Sequence, residues 1–375
     1  MPDTSNFYGP NAVVRPATTR SRGYRYLSVD YASRRVTHEF KLSGVSYNWE
    51  RNTPGSFSAA IDLYDDAAKY LRPQETFLVV ERRGVPFWCG FLWQPTRSGQ
   101  VLQIGAQEVF SIFGHRHVRE TQSWELADRA KIVRDLIQYA QQGIGGPIGL
   151  RVGSELIGGE PFSYSVPWWE NKTVLEVIDT IVSMDPTFTF RVEGEWLPGN
   201  RLGFVLVIER HPLPTPHKLV YGANVDEYDW APLSPSPNFV DAFGGFDNAA
   251  MIRRSAQNDE ALARQPRIEG SVENRAILAE EPVVKLATNQ LKRLSGSPSQ
   301  PTVVMQADAD PELGILRPGH AAEVVIKDGY VEVGGIFNVQ KIGVDVPDGA
   351  ADAPGAEKVS IEFESKIDDA AVSTS

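Results

Sequence analysis

The stretch Arg51-Asn52-Thr53-Pro54-Gly55-Ser56-Phe57-Ser58-Ala59-Ala60-Ile61-Asp62-Leu63 decides the class of fold. Phe57, Ala59, Ile61 and Leu63 fall on one side of an extended chain, and Ser58, Ala60 and Asp62 on the other. That two-residue period is the pattern of a half-buried strand. Pro54 presets φ and Gly55 accepts positive φ, so the residues before it read as a turn. The same grammar extends outward. Residues 24–29 and 36–42 precede it as strands, and 76–81 and 87–92 flank the turn Arg82-Arg83-Gly84 as a hairpin. Residues 101–106 follow Ser98-Gly99-Gln100 as a further strand. Six or seven short antiparallel strands suit a small barrel or a sandwich.

The period then changes. Leu126, Ala130, Val133, Leu136, Ile137 and Ala140 recur at helical spacing, and Gly143 stops the run, which predicts a helix over 124–142. A second helix is predicted over 171–184, with Asn171 or Thr173 as its cap and Asp185-Pro186 as its end. Residues 188–192 and 201–209 read as a hairpin around Leu197-Pro198-Gly199-Asn200. The stiff segment His211-Pro212-Leu213-Pro214-Thr215-Pro216-His217 reads as a linker. Strands follow over 218–221, 225–230, 239–244 and 267–272, then a helix near 282–294, then strands over 302–307, 322–326, 335–346 and 358–364. The expected organisation is an extended N-terminal arm (1–24), a β-barrel domain (25–118), an α/β domain (119–212), a second β-barrel domain (213–365) and a flexible tail (366–375).

Composition narrows the function. The 375 residues are 42% hydrophobic and 23% charged, ordinary for a chain that buries a core. Their formal charge of −11 argues against a general nucleic-acid binder, which needs Lys and Arg to neutralise phosphate. The acidity is local: residues 301–375 hold 14 Asp and Glu against 5 Lys and Arg, whereas the rest hold 34 against 32. The single cysteine, Cys89, lies in the apolar run Phe87-Trp88-Cys89-Gly90-Phe91 and reads as a small buried hydrophobe rather than a reactive thiol. No apolar run reaches the ~18 residues of a membrane span, and the polar, Pro-bearing start lacks a signal peptide's apolar core.

No catalytic constellation emerges. His115-Arg116-His117 offers two imidazoles without a third zinc ligand at a recognisable spacing. Asp308-Ala309-Asp310-Pro311-Glu312 alternates carboxylates but lacks the glycine and distal glutamate of a calcium loop. Asp65-Asp66, Glu280-Glu281 and Asp368-Asp369 are sequence neighbours, not carboxylates facing each other across a cleft. Ser154 fails the nucleophile-elbow pattern, and Gly143-Ile144-Gly145-Gly146 lacks a phosphate-binding fingerprint. No enzymatic activity, cofactor or metal is therefore expected. Trp168-Trp169, with Phe162 and Tyr164 upstream, is an aromatic cluster that can stack on a sugar, bury against a partner, or fold into the domain's own core.

The order of elements carries a resemblance. Val101-Leu102-Gln103-Ile104-Gly105-Ala106-Gln107-Glu108-Val109-Phe110-Ser111-Ile112-Phe113-Gly114-His115-Arg116-His117-Val118 runs directly into the first helix. Later, a helix precedes Leu316-Arg317-Pro318-Gly319-His320-Ala321-Ala322-Glu323-Val324 and Gly335-Ile336-Phe337-Asn338-Val339-Gln340-Lys341-Ile342-Gly343-Val344-Asp345. This succession, over about residues 25–365, resembles minor tail proteins of actinobacterial siphophages, of the tail hub and baseplate hub family. The resemblance implies a mainly β fold with α/β insertions, namely two tail-tube-like β-barrels plus smaller α/β domains. It also implies a homotrimeric ring at the distal end of the tail, contacting a distal tail protein, a tape measure protein and other tip or fibre proteins. The chain would be made in the host cytoplasm and reside in the virion. Phage DNA would pass its lumen without specific binding, and an acidic lining would repel phosphate. A carbohydrate- or receptor-binding tail component is the alternative expectation, and a cell-wall hydrolase a weaker one.

Overall fold

The structure, a computed structural model, describes residues 23–153, 158, 161–185, 187–210, 217–232, 237–245, 251–275, 277, 280–295, 299–348 and 356–366. Residues 1–22 of the expected arm, the Pro-rich stretch 211–216, Ser154 and the tail from 367 lie outside them. The described residues form 22 strands and four α-helices, a mainly β architecture. They fall into two compact units: one from Met1–His211, Gln306–Gly319 and Lys341–Ser360, the other from Pro212–Met305, His320–Gln340 and Ile361–Ser375.

The first unit opens with β1 (Tyr24–Asp30), β2 (Val36–Phe40), β3 (Ser43–Glu50), β4 (Ser56–Asp62), β5 (Thr76–Arg82), β6 (Val85–Leu92), β7 (Thr96–Ser98) and β8 (Val101–Glu108). These pair antiparallel in the order β3-β4-β8-β6-β5-β1-β2, with β7 beside the start of β8. The alternation read in 57–63 is realised in β4, where Phe57, Ala59 and Ile61 are buried and Ser56, Ser58 and Asp62 are exposed. The β5–β6 turn places Arg83 at φ 54° and Gly84 at φ 81°, the left-handed pair that matches hairpin twist.

This sheet is open. Among the described residues β2 pairs with β1 alone, and no strand carries it round to β3. The closed barrels expected from the resemblance are therefore not formed, although the mainly β class holds. Closure needs the two end strands to run alongside each other. Here the end strand β2 has only five residues, and its His38 stacks on Tyr70 of the 3₁₀ turn Asp66–Tyr70, with ring centres 4.6 Å apart.

The unit continues with β9 (Gln122–Ala127), α1 (Arg129–Ala140), β10 (Leu150–Arg151), β11 (Phe162–Val166), α2 (Val174–Ser183), β12 (Phe188–Leu197) and β13 (Arg201–Arg210). The helical period reaches back to Leu126, yet α1 begins only at Arg129. Asp128 accepts a hydrogen bond from the Ala130 N–H at 2.8 Å and caps the helix there, leaving the residues before it to pair with β11. One buried cluster joins Leu27, Phe77, Val79 and Phe91 of the large sheet to Val133 and Leu136 of α1, Ile178 of α2, and Phe188, Phe190 and Phe204 of the β12–β13 hairpin. Phe77 and Phe204 meet edge to face at 5.2 Å. Gly194 permits this approach, since a Cβ there would lie 2.4 Å from the Cys89 sulfur.

The second unit contains β14 (His217–Val220), β15 (Glu227–Pro232), β16 (Phe239–Gly244), β17 (Ile252–Gln257), α3 (Asp259–Leu262), β18 (Glu269–Asn274), α4 (Glu280–Ser295), most of β19 (Ser299–Gln306), β20 (Ala321–Asp328), the first part of the long β21 (Val331–Val346) and β22 (Lys358–Lys366) from Ile361 onward. β14 runs parallel to β20, which pairs antiparallel with the first half of β21. The second half of β21, Lys341–Val346, belongs to the first unit and pairs with β3. β16 stands between β17 and β18 in a separate three-stranded sheet, with α4 packed on one face.

Candidate functional site, an exposed tryptophan turn

β9 and β11 form a two-stranded antiparallel ribbon with Tyr164 opposite Trp124 and Ser165 opposite Ser123. Trp124, Ala127 and Val166 are buried, whereas Ser123, Ser163 and Ser165 face out, the Ser123 and Ser165 hydroxyls 2.9 Å apart. Pro167 ends the ribbon and precedes a single 3₁₀ turn, Trp168–Glu170. The Trp168 N–H donates weakly to the Thr121 hydroxyl at 3.4 Å. Asn171 closes the turn at φ 50°, and its carbonyl accepts from His117 Nδ1 at 3.0 Å. The chain then enters α2 through a capping box: the Thr173 hydroxyl accepts from the Glu176 N–H, and the Glu176 carboxylate accepts from the Thr173 N–H at 2.7 Å. The Thr173 N–H, and after it the Thr173 hydroxyl at 3.0 Å, donate to the Glu176 carboxylate and hold it below its ordinary range.

Anchored at both ends, the turn holds its two indoles in solvent. Trp168 is 58% and Trp169 67% exposed, and their rings stand edge to face, 6.2 Å apart and 82° between planes. Glu170 and Lys172 form an ion pair beside them at 2.7 Å. Phe162 and Tyr164 do not join them: those rings stack on each other at 5.4 Å and pack against the core, with the Arg129 guanidinium 5.3 Å over Phe162. The turn offers apolar aromatic faces beside the Thr121 hydroxyl and one ion pair. Such faces bind by stacking and burial.

The other sequence candidates have local partners. His115 packs on Trp93 with ring centres 4.5 Å apart, and Arg116 donates to the Gly145 carbonyl. Among the described residues no group of three or more His, Cys, Asp or Glu could hold a metal ion. Glu312, from the alternating carboxylate loop, pairs with Arg83 and lies 3.6 Å from Arg82. Cys89 is buried, and burial, with Glu108 nearby, pushes its thiol far up. Among the described residues no helix is long and apolar enough to cross a membrane.

One cluster gave no local signal in the sequence. Arg82 Nε donates to Glu357 at 3.1 Å across 275 residues, with both side chains buried. The Tyr24 and Tyr47 hydroxyls meet at 3.1 Å beside them; burial and then Tyr47 raise the Tyr24 phenol above its ordinary range. Close by, Arg317 lies 5.2 Å over Trp49 and 5.3 Å over Phe87. Buried Glu108 accepts from the Gly55 N–H at 2.7 Å; burial pushes its carboxyl up to about 8, against the Gly55 hydrogen bond and the Arg317 charge.

No protein-family model matches the chain, and no curated protein matches it by sequence. Solved structures do match its fold along nearly its whole length. It is similar to the 43 kDa tail protein of prophage MuSo2 from Shewanella oneidensis, with a TM-score of 0.59 and 11% identity, covering 90% of this chain and 97% of that one. It is similar to a tail protein from Neisseria meningitidis MC58, with a TM-score of 0.59 and 10% identity, covering 91% and 96%. It is also similar to prophage tail protein gp18 from Listeria monocytogenes EGD-e, with a TM-score of 0.52 and 12% identity, covering 93% and 97%. The chain has the fold of these phage tail proteins.

Proposed function

We propose that this chain is a structural hub of a bacteriophage tail tip, a non-enzymatic minor tail protein. The observation that carries the reading is the extent of the fold likeness, which spans 97% of the Shewanella tail protein rather than one shared domain. Three copies would form a ring at the distal end of the tail, between a distal tail protein on one side and tip or fibre proteins on the other. A tape measure protein would end on it, and DNA would leave through it. The formal charge of −11 suits a passage that repels phosphate instead of holding it. The sheet of the first unit, ending on β2, suits a protein whose edges are covered by neighbours. Native mass measurement of the purified chain, with electron microscopy of the tail tip that contains it, tests the reading. A trimer and a three-fold ring are expected; a chain that stays monomeric at micromolar concentration and leaves no three-fold density at the tip sinks it.

The exposed Trp168 and Trp169 favour a second reading, in which the turn recognises a glycan or a receptor-bearing partner. Both indoles keep free faces, and aromatic stacking on sugar is a common use of such faces. A glycan array with the intact chain and with Trp168→Ala separates the two readings: binding lost in the variant supports recognition, and no binding by either removes it.

A further inference from the structure

The three-stranded sheet of the second unit carries more than its own fold requires. Its order is β17-β16-β18, with β17 antiparallel and β18 parallel to the central strand. Among the described residues neither outer strand has a second partner, so two rows of backbone N–H and C=O groups remain open. The sheet is backed by α4 over a small buried cluster, Ala242, Val283 and Ala287. Three strands of six residues on so slight a core gain stability by adding strands.

The two edges differ in sign. β17 carries Arg253 and Arg254 and no acid, and β18 carries Glu269 and Glu273 and no base. On the face away from α4 the registers set three rows: Arg253–Phe243–Glu273, Ser255–Asp241–Ser271 and Gln257–Phe239–Glu269. All six outer residues of those rows are exposed. Arg253 pairs at 2.6 Å with Asp241, which is buried, while Glu269 pairs with Arg267 and Glu273 with Arg275 in exposed pairs. The exposed glutamate pairs exchange at little cost.

We propose that β18 of one copy adds to β17 of the next and joins the sheets of neighbouring subunits edge to edge. The inference rests on the hub reading and names its contact. Where the strands run along the ring axis, rotation preserves their direction, so β18 meets the next β17 antiparallel. Continuing the rows places Glu273 opposite the next copy's Arg253, and Ser271 opposite its Ser255. A two-fold pairing of β18 with itself, centred on Ser271, sets Glu269 against Glu273, and one of β17 with itself, centred on Ser255, sets Arg253 against Gln257, so neither forms an opposite-charge pair. The sheet therefore selects the head-to-tail contact that closes into a ring.

The test is a disulfide. Ser255→Cys and Ser271→Cys in one chain flank β16 and lie about two strand spacings apart, ~9–10 Å, beyond the reach of a bond within the subunit. The native Cys89 is buried and does not compete. Mild oxidation of the full-length double variant should give a covalently closed trimer on a non-reducing gel, while each single variant runs as a monomer. Arg253→Glu should weaken association at least tenfold in native mass titration, and adding Glu273→Arg in the same chain should restore it. A trimer in solution that never cross-links overturns this contact and leaves the hub reading standing. A chain that is monomeric in every variant and in the parent overturns both.

Discussion

The first unit inverts the usual partition at two places. Around Arg82 it buries charge: the guanidinium and the Glu357 carboxylate are 4% and 0% exposed as side chains. At Trp168–Trp169 it exposes two of its largest apolar side chains. A buried ion pair and an exposed indole pair are both informative, because neither is what burial alone would select. The buried pair closes contacts within the unit and ties Glu357 to Arg82 at the end of β5. The exposed pair makes no comparable contact within the unit. The difference teaches where to look for each kind of effect: stability should depend on the first site, and recognition on the second.

The largest effect should come from breaking the buried pair. Arg82→Ala leaves Glu357 charged, buried and without its Nε donor, which costs about 3–5 kcal/mol. Urea unfolding of the full chain should show the midpoint fall with an unchanged slope. Replacing both partners, Arg82→Met with Glu357→Leu, should recover most of the loss, since a desolvated pair and an apolar pair of similar volume are close in energy. A single variant as stable as the parent would mean that the pair is solvated and that the comparison fails at its buried end.

Glu108 sharpens the same end by pH. Its ordinary value is 4.5, and burial raises it to about 8 in the folded chain. The folded state then holds a proton that the unfolded state has released, so this contribution is complete below about 4.5 and is lost as pH rises toward 8. The limiting slope is about 1.4 kcal/mol per pH unit. Glu108→Gln keeps an oxygen for the Gly55 N–H and cannot ionise. Unfolding measured at pH 5, 6.5 and 8 should show the parent losing stability and the variant staying nearly flat over that range. Parallel curves for the two proteins would remove Glu108 as the titrating group.

What the sequence made legible follows the range of each interaction. The alternation of Phe57, Ala59 and Ile61 reads directly as β4, and the cap of α2 is narrowed to Asn171 or Thr173, of which the structure uses Thr173, because a strand face and a cap are decided within a few residues. The Arg82–Glu357 pair is not legible, because nothing near Arg82 points to a carboxylate 275 residues away. The start of α1 was hidden by a local conflict. Leu126 fits the helical period, but it sits at φ 44° in a strand that Asp128 separates from the helix. The tryptophan pair was visible as a motif, though its exposure was not. That depends on Pro167 and the left-handed Asn171 turning the chain out of the ribbon before α2 begins.

The smallest stability effect should come from the exposed end, and this smallness is itself the test. Trp168→Ala removes an indole that is more than half in solvent, meets its neighbour edge to face and leaves no buried group behind. Exposed substitutions of this kind usually change stability by no more than about 0.5 kcal/mol. The fixed part of the turn is backbone and polar: Asn171 in its left-handed conformation and the Thr173–Glu176 box. Trp168→Ala and Trp169→Ala should therefore unfold with the parent, while an interaction that uses the turn loses at least tenfold in affinity. Incorporation of the variants into tail tips, set beside the glycan array, says which interaction that is. Normal incorporation with lost glycan binding assigns the indoles to recognition, and failed incorporation of a stably folded variant assigns them to a neighbouring tail protein. A loss of several kcal/mol in stability would instead make the pair part of the core and erase the contrast with Arg82 altogether.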